Sequence, residues 1–377
     1  MGYSPPARVL DDTRGAIGEI ALNLPTAYQE ALIPVFDQLV RQLPASIRVR
    51  VACSDEACAQ QVISRWRPIF LNQQRRVDVI VTQLKLTPWA RDRRIARQGE
   101  HGYPAPGLIP PILAWDGTDR RDEIKLPTIL NILELAPESE HLPFWLDGGN
   151  LVVDDSNAFV GSNVISVNAE IAGRKEIQKN LTRLLGKQVV FLGNSKGQVP
   201  WNHLDMYVTP LPGKKVLVGS PSLARNLIRR QNLLPQNFVT PEVDTAKNQL
   251  YDSVANQFAQ LGYEVIRMPL LPNYDEQWVL TYNNVIMDYR NGVQTVFLPT
   301  YGMPSLDAFA RKVFLDLGFD VKSIDVSAIY QEGGTIRCIA NVSQRLAESE
   351  VRREEQKISK GHFRIHRPVS WAVQEVE

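Results

Sequence analysis

Four short motifs carry the chemistry of this chain: Trp89-Ala90-Arg91-Asp92, Asp147-Gly148-Gly149-Asn150, His203-Leu204-Asp205 and Gly333-Gly334-Thr335-Ile336-Arg337-Cys338. Three carboxylates, a histidine and a late cysteine behind paired glycines suit attack on a guanidinium carbon. A guanidinium is planar, positively charged and a poor electrophile. Its flat hydrogen-bonding edges must be held, its carbon must meet a strong nucleophile, and the departing amine must be protonated. Carboxylates pair with guanidinium in a two-pronged geometry, and Asp92 and Asp205 are the candidates for that clamp. Cys338 is the candidate nucleophile; the thiolate is the reactive form, and a positive substrate itself favours it. Gly333-Gly334 permits tight backbone close to a ligand.

His203 is the candidate general acid and base, because an imidazole titrates near working pH. It lies two residues before Asp205, so in an extended segment both side chains point to one face. Asp147 either orients His203 or raises its pKa through opposite charge, while Gly148-Gly149 also suits a simple turn. Trp89 and Trp201 flank the two clamp motifs, placed to stack on a flat cation or to pack in the core. Each residue also has a purely structural use, aspartate as a turn cap or surface ion pair and cysteine as a small buried apolar group. The order of the four motifs and their glycine-rich, acidic context favour the chemical one.

The elements that must position these motifs alternate β-branched runs with amphipathic stretches, the pattern of an α/β fold. A helix over Tyr28 to Leu43 precedes a strand at Ile47 to Ala52, and the strand Val77 to Thr82 leads into Trp89 and Asp92. Leu151 to Asp155 and Ala158 to Gly161 form a hairpin pattern, followed by a helix over Glu176 to Leu185 and a strand over Gln188 to Leu192. Met206 to Leu211 and Lys215 to Gly219 repeat the hairpin, with a helix at Thr245 to Leu261 and a strand at Glu264 to Met268. Strand patterns at Trp278 to Tyr282, Val285 to Asp288 and Gln294 to Leu298 precede a helix at Ser305 to Leu317 and a strand at Val321 to Val326. Strand pair, helix, strand recurs at a spacing of roughly 60 to 80 residues.

Two regions fall outside that rhythm. Gln98 to Pro127, rich in Gly, Pro and charge, is expected as a long loop, either a lid or a surface insertion. Residues 345–377 are expected as a charged C-terminal extension to a single catalytic domain over 1–344, beginning with a solvated helix pattern at Glu348 to Glu355. Its last part, Gly361 to Glu377, alternates aromatic and basic residues in the manner of a docking arm.

Composition excludes several classes. The 377 residues are 44% hydrophobic and 22% charged, with a formal charge of +1; nucleic acid is not an expected partner, because phosphate binding demands a basic face. No segment approaches the length of a membrane span. The N-terminus lacks an apolar signal core and a myristoylation pattern, and three cysteines exclude a disulfide framework. Cytoplasmic residence is the expectation. No His, Cys or Asp cluster has ligand spacing, so a metal hydrolase is disfavoured and no cofactor is expected.

On these four motifs the chain resembles the guanidino-modifying superfamily of amidinotransferases and deiminases, closest to its agmatine deiminase and bacterial peptidylarginine deiminase branch. The motifs stand in family order between roughly Val77 and Asn341. The resemblance implies a five-bladed, pseudo-symmetric α/β propeller (the pentein fold) of ββαβ-type units around a central pocket. It also implies a deiminase: Cys338 as nucleophile, His203 as proton shuttle, Asp92 and Asp205 as clamp, Asp147 as the acidic partner of the histidine, and a covalent amidino-thioether resolved by water. Asn284 matches a polar position near the family pocket. The implied partner is a small guanidino substrate or an arginine side chain, and family members often form homo-oligomers.

Two departures stand out. Asp147 replaces the glutamate usual in agmatine deiminases, giving a shorter arm towards His203, and lends support to an amidinotransferase as the alternative. Arg93-Arg94 follows Asp92 where the branch commonly carries a Thr-Gly-Pro turn; either two solvated arginines or, at Arg94 or Arg93, a contact for an acidic group such as the carboxylate of free arginine.

Overall fold

The β-branched runs pair in one recurring order. In the computed structural model, which describes residues 7–72, 75–99, 104–111, 120–194, 196–231, 245–273, 275, 277–356 and 362–367, an antiparallel strand pair is followed by a helix and then by a strand parallel to the second of the pair. This unit occurs in each of five sheets. Parallel pairing needs a crossover long enough for a helix, which is why a helix always falls between those two strands.

The central units show the wiring most simply. Leu151–Val153 runs antiparallel to Asn157–Gly161, helix Arg174–Leu185 crosses over, and Gln188–Leu192 returns parallel. That helix buries Ile177, Leu181, Leu184 and Leu185, one face of a 3.6-residue period. Val208–Leu211, Lys215–Ser220 and Glu264–Asn273 repeat the pattern, extended by Trp278–Thr281. Ile286–Arg290, Val293–Thr300 and Asp320–Asp325 repeat it again around helix Pro304–Asp316.

The first sheet is assembled from both ends of the chain. Ala340–Leu346 pairs antiparallel with Ala16–Leu24, helix Gln29–Gln42 crosses over, and Arg48–Cys53 and Arg76–Val81 follow in parallel. A proposed boundary at 344/345 therefore falls inside a strand. Helix Glu348–Gln356 comes next, and His362–His366 adds itself parallel to Arg76–Val81 as an edge strand. The described part of the tail is thus built into the sheet, while 357–361 and 368–377 lie outside the described residues.

Gln98 to Pro127 also departs from expectation. It is not one loop: Pro104–Ile109 pairs with Ile95–Gln98, and helix Arg121–Ile132 begins the crossover to Glu140–His141. Of its five prolines, two stand at strand positions 104 and 106, two directly after that strand at 110 and 111, and one inside the helix at 127, so their density misled the sequence pattern. Residues 100–103 and 112–119 of that span lie outside the described residues. No described helix is long and apolar enough to cross a membrane.

Candidate active site

Each connection from one sheet to the next delivers a piece of the site. Asp92 follows Arg76–Val81, Asp147 precedes Leu151–Val153, His203 and Asp205 precede Val208–Leu211, Asn284 follows Trp278–Thr281, and Cys338 precedes Ala340–Leu346. The connections touch in a closed circuit. Gly148 N–H donates to the Asp92 carbonyl (2.9 Å), the Asn284 amide to the Asp205 carbonyl (3.4 Å), the Thr335 hydroxyl to Asn284 Oδ1 (2.8 Å), and Arg91 N–H to the Cys338 carbonyl (3.1 Å). The remaining link is steric: a Cβ on Gly149 would sit 2.5 Å from His203 Nδ1. The Asp147-Gly-Gly turn is therefore a 3-10 turn packed under the histidine ring, not a hairpin.

Cys338 lies in a single helical turn, Ile336–Ile339, and is 3% exposed. Asn284 holds it. The Asn284 amide donates to Sγ (3.3 Å), and its Oδ1 accepts the Arg337 and Cys338 N–H groups at 2.9 and 3.3 Å. Asn284 is thus a positioning residue for the cysteine turn. Burial pushes the Cys338 thiol well above its usual range, and the nearby charges of Asp205 and Asp92 push it further. Trp89 packs against this turn, since a Cβ on Gly334 would lie 2.5 Å from its ring. Trp201 is half-buried against the same hydrophobic cluster as Cys338.

His203 sits between two carboxylates, with Nδ1 3.8 Å from Asp92 Oδ1 and Nε2 3.7 Å from Asp147 Oδ2. Burial disfavours its imidazolium, but Asp92, Asp147 and Asp205 outweigh that and raise the pKa to about 9. Asp147, although buried, is held below the usual carboxylate range by His203 and Arg93. The shorter aspartate arm reaches because its turn abuts the ring. His203 and Asp205 are not on an extended strand: His203 caps the 3-10 turn Leu204–Met206, and both residues still face the site.

Asp205 is 1% exposed and neither carboxyl oxygen has a hydrogen-bond partner among the described residues. Among the described residues its ion pair is with Arg337, whose Nε lies 3.3 Å away while its two terminal nitrogens grip Asp12 at 2.9 Å each. Burial lifts the Asp205 pKa to about 6, against the pull of Arg337, His203 and Arg91. Asp92 is split between two roles. Its Oδ2 takes Arg120 Nη1 at 2.9 Å, while its Oδ1, buried beside His203, has no hydrogen-bond partner among the described residues.

The structure brings together Cys338, His203, Asp147, Asp92, Asp205, Asn284 and Trp89, but not Arg94. That arginine lines a separate cavity with Glu19 and Arg50. Arg93 turns to the site instead, bonding Asp147 Oδ1 at 3.1 Å. Sequence reasoning missed Arg120, Arg337 and Asp12. Arg337 lay in plain view beside Cys338; Asp12 and Arg120 carry no local signal. Among the described residues no group of three His, Cys, Asp or Glu is arranged to hold a metal ion.

The model of the Porphyromonas-type peptidyl-arginine deiminase family matches residues 23–343, across all four motifs. The chain belongs to that family. Membership supports an enzyme acting on a guanidino group. Among solved structures, the agmatine deiminase of C. jejuni is 15% identical with a TM-score of 0.68, covering 91% of this chain and 97% of its own. Agmatine deiminase of Enterococcus faecalis is 16% identical with a TM-score of 0.61, covering 92% and 98%. At these identities the likeness is one of α/β fold. No curated protein matches the chain.

Proposed function

We propose that this family member is a guanidino deiminase working through a covalent cysteine intermediate. The observation that carries the proposal is the pair of buried carboxylates, Asp92 and Asp205, with three acceptor oxygens left without hydrogen bonds among the described residues near Cys338 and His203. Buried acceptors are normally satisfied, and a planar cation with hydrogen-bonding edges satisfies these. Its charge also offsets the two carboxylates that hold Cys338 as a thiol, so binding promotes the thiolate.

The thiolate attacks the guanidinium carbon, forming a C–S bond and a tetrahedral adduct. His203, resting as imidazolium, protonates the departing nitrogen, and ammonia leaves. The neutral imidazole then takes a proton from water. The hydroxide adds to the amidino carbon, the C–S bond breaks, and a ureido product and a proton are released with the thiolate restored. The wiring of the five sheets and the closed circuit of their connections support a five-bladed arrangement around this pocket. Arg93 is committed to Asp147 and Arg94 faces elsewhere, so neither is offered to a substrate carboxylate. That favours a guanidino group on agmatine or a peptidylarginine over free arginine.

The test incubates the protein with agmatine, free arginine and a blocked peptidylarginine, following ureido product and ammonia by mass spectrometry beside Cys338→Ala. A ureido product lost in Cys338→Ala supports the proposal. Activity only when an amine acceptor is added points to amidino transfer and overturns it.

A further inference from the structure

A second polar cavity, of about 210 Å³, lies away from Cys338 and is lined by four arginines, Arg48, Arg50, Arg76 and Arg94. Two carboxylates, Glu19 and Glu354, also line it. The pairing among them is incomplete. Glu19 takes Arg50 Nη2 at 2.8 Å and stands 3.8 Å from Arg48, and its other oxygen accepts the Ser343 hydroxyl. Glu354 takes Arg76 at 2.7 Å. Arg48 also stands 4.0 Å from Asp78. Arg94 is half-buried and lacks a carboxylate of its own: among the described residues its guanidinium makes no hydrogen bond or ion pair, its Nε has no partner, and Glu19, the carboxylate that acts on it, is already bonded to Arg50 and Ser343. Burial and the charge of Arg50 depress the Arg94 pKa to about 10, against the pull of Glu19.

A second unsatisfied group stands beside it. Gly107, in strand Pro104–Ile109, leaves the space where a Cβ would meet Arg94 Nε at 3.2 Å and Ser139 Oγ at 3.4 Å. The Ser139 hydroxyl is likewise buried with no partner among the described residues. Four arginines against two carboxylates leave the cavity with an excess of positive charge, and arginine's fork of donors fits the oxygens of carboxylate or phosphate. The volume suits a small ion; drug-sized ligands need about 300 Å³ or more.

We infer that this cavity is a binding site for a small oxyanion, a phosphate or a short dicarboxylate, held chiefly by the Arg94 guanidinium. This is independent of the deiminase proposal, because none of the residues assigned to the cysteine chemistry lines the cavity. Calorimetric titration of the full chain with inorganic phosphate and, separately, with succinate, in a buffer free of other multivalent anions, tests it. Saturable one-to-one binding of either ion, weakened at least tenfold by Arg94→Leu, is expected, and the ion that binds identifies the source of the oxyanion. Thermal melting separates this from misfolding. Arg94→Leu is expected to keep a cooperative melting transition without anion and to gain nothing from the ion that stabilises the parent. Absence of saturable binding by both ions overturns the inference, as does binding that Arg94→Leu leaves unchanged.

Discussion

Asp205, part of the clamp in the proposed mechanism, is a buried charge that the fold resists, and asparagine in its place should make the protein more stable. Its carboxyl is buried and has no hydrogen-bond donor among the described residues; its pKa lies at about 6, against roughly 3.9 for an unfolded aspartate. Below pH ~3.9 the group is protonated in both states and costs nothing. As pH rises from there to 6, the unfolded chain ionises first and the folded state loses ground; above 6 the full difference remains. A shift of about two units at 1.36 kcal/mol each gives roughly 3 kcal/mol. Asp205→Asn keeps the volume and removes the charge, while Arg337 retains both bonds to Asp12. Urea unfolding followed by tryptophan fluorescence should show the variant about 2–3 kcal/mol more stable at pH 8 and indistinguishable from the parent at pH 4, with deiminase turnover gone. A variant less stable at pH 8 would mean the Arg337 contact outweighs burial, and the electrostatic account of the clamp would be wrong.

Three further outcomes follow from the same geometry. Asn284→Asp places a carboxylate 3.3 Å from Cys338 Sγ, a repulsion of up to about 5 kcal/mol with a thiolate at an effective dielectric of ~20. Peptide-resolved alkylation of Cys338 should then shift to higher pH and kcat/KM fall by about 100-fold or more; an unmoved alkylation profile refutes it. His203 carries its proton up to about pH 9, so kcat should decline as pH rises through that value, and a plateau unbroken to pH 10 removes His203 as the donor. Arg120 fixes Asp92 by its Oδ2 and leaves Oδ1 to the substrate, so Arg120→Leu should lower kcat/KM by roughly 10- to 100-fold, mostly through KM. A fall in KM would show instead that Arg120 competes for the clamp.

How much of this was legible in the chain depends on the range of the interaction. The repeat of strand pair, helix and strand was visible because periodicity is local, and the hairpin at Leu151–Val153 and Asn157–Gly161 stands where the pattern put it. The cysteine, histidine and aspartates were visible because each sits in a short motif with glycines whose missing Cβ is required by contact: Gly149 under His203 and Gly334 against Trp89. What stayed hidden was set by pairing across the chain. Asp12 meets Arg337 from the far end of the sequence without a local trace, and the alternation after Gly361 hinted at a docking arm without showing that His362–His366 docks on Arg76–Val81. Arg93 and Arg94 are neighbours in the chain, and only the path of the backbone decided which one faces Asp147.

The division of labour between sheets and connections explains why so low a sequence identity to the solved deiminases coexists with so full a set of reactive groups. The sheets need only β-branched and apolar residues at the right period, a demand many sequences meet. The connections must bring the carboxylates, the imidazole, the amide and the thiol to one buried point, and each is tied to its neighbour by a backbone contact or a close approach in the closed circuit. A connection displaced by an ångström would move two others with it. Changes in the sheets are therefore absorbed by packing, whereas changes in the connections reach the site directly, and the electrostatic strain there, with Asp205 lifted and the thiol held protonated, is what the guanidinium of the proposed reaction would relieve.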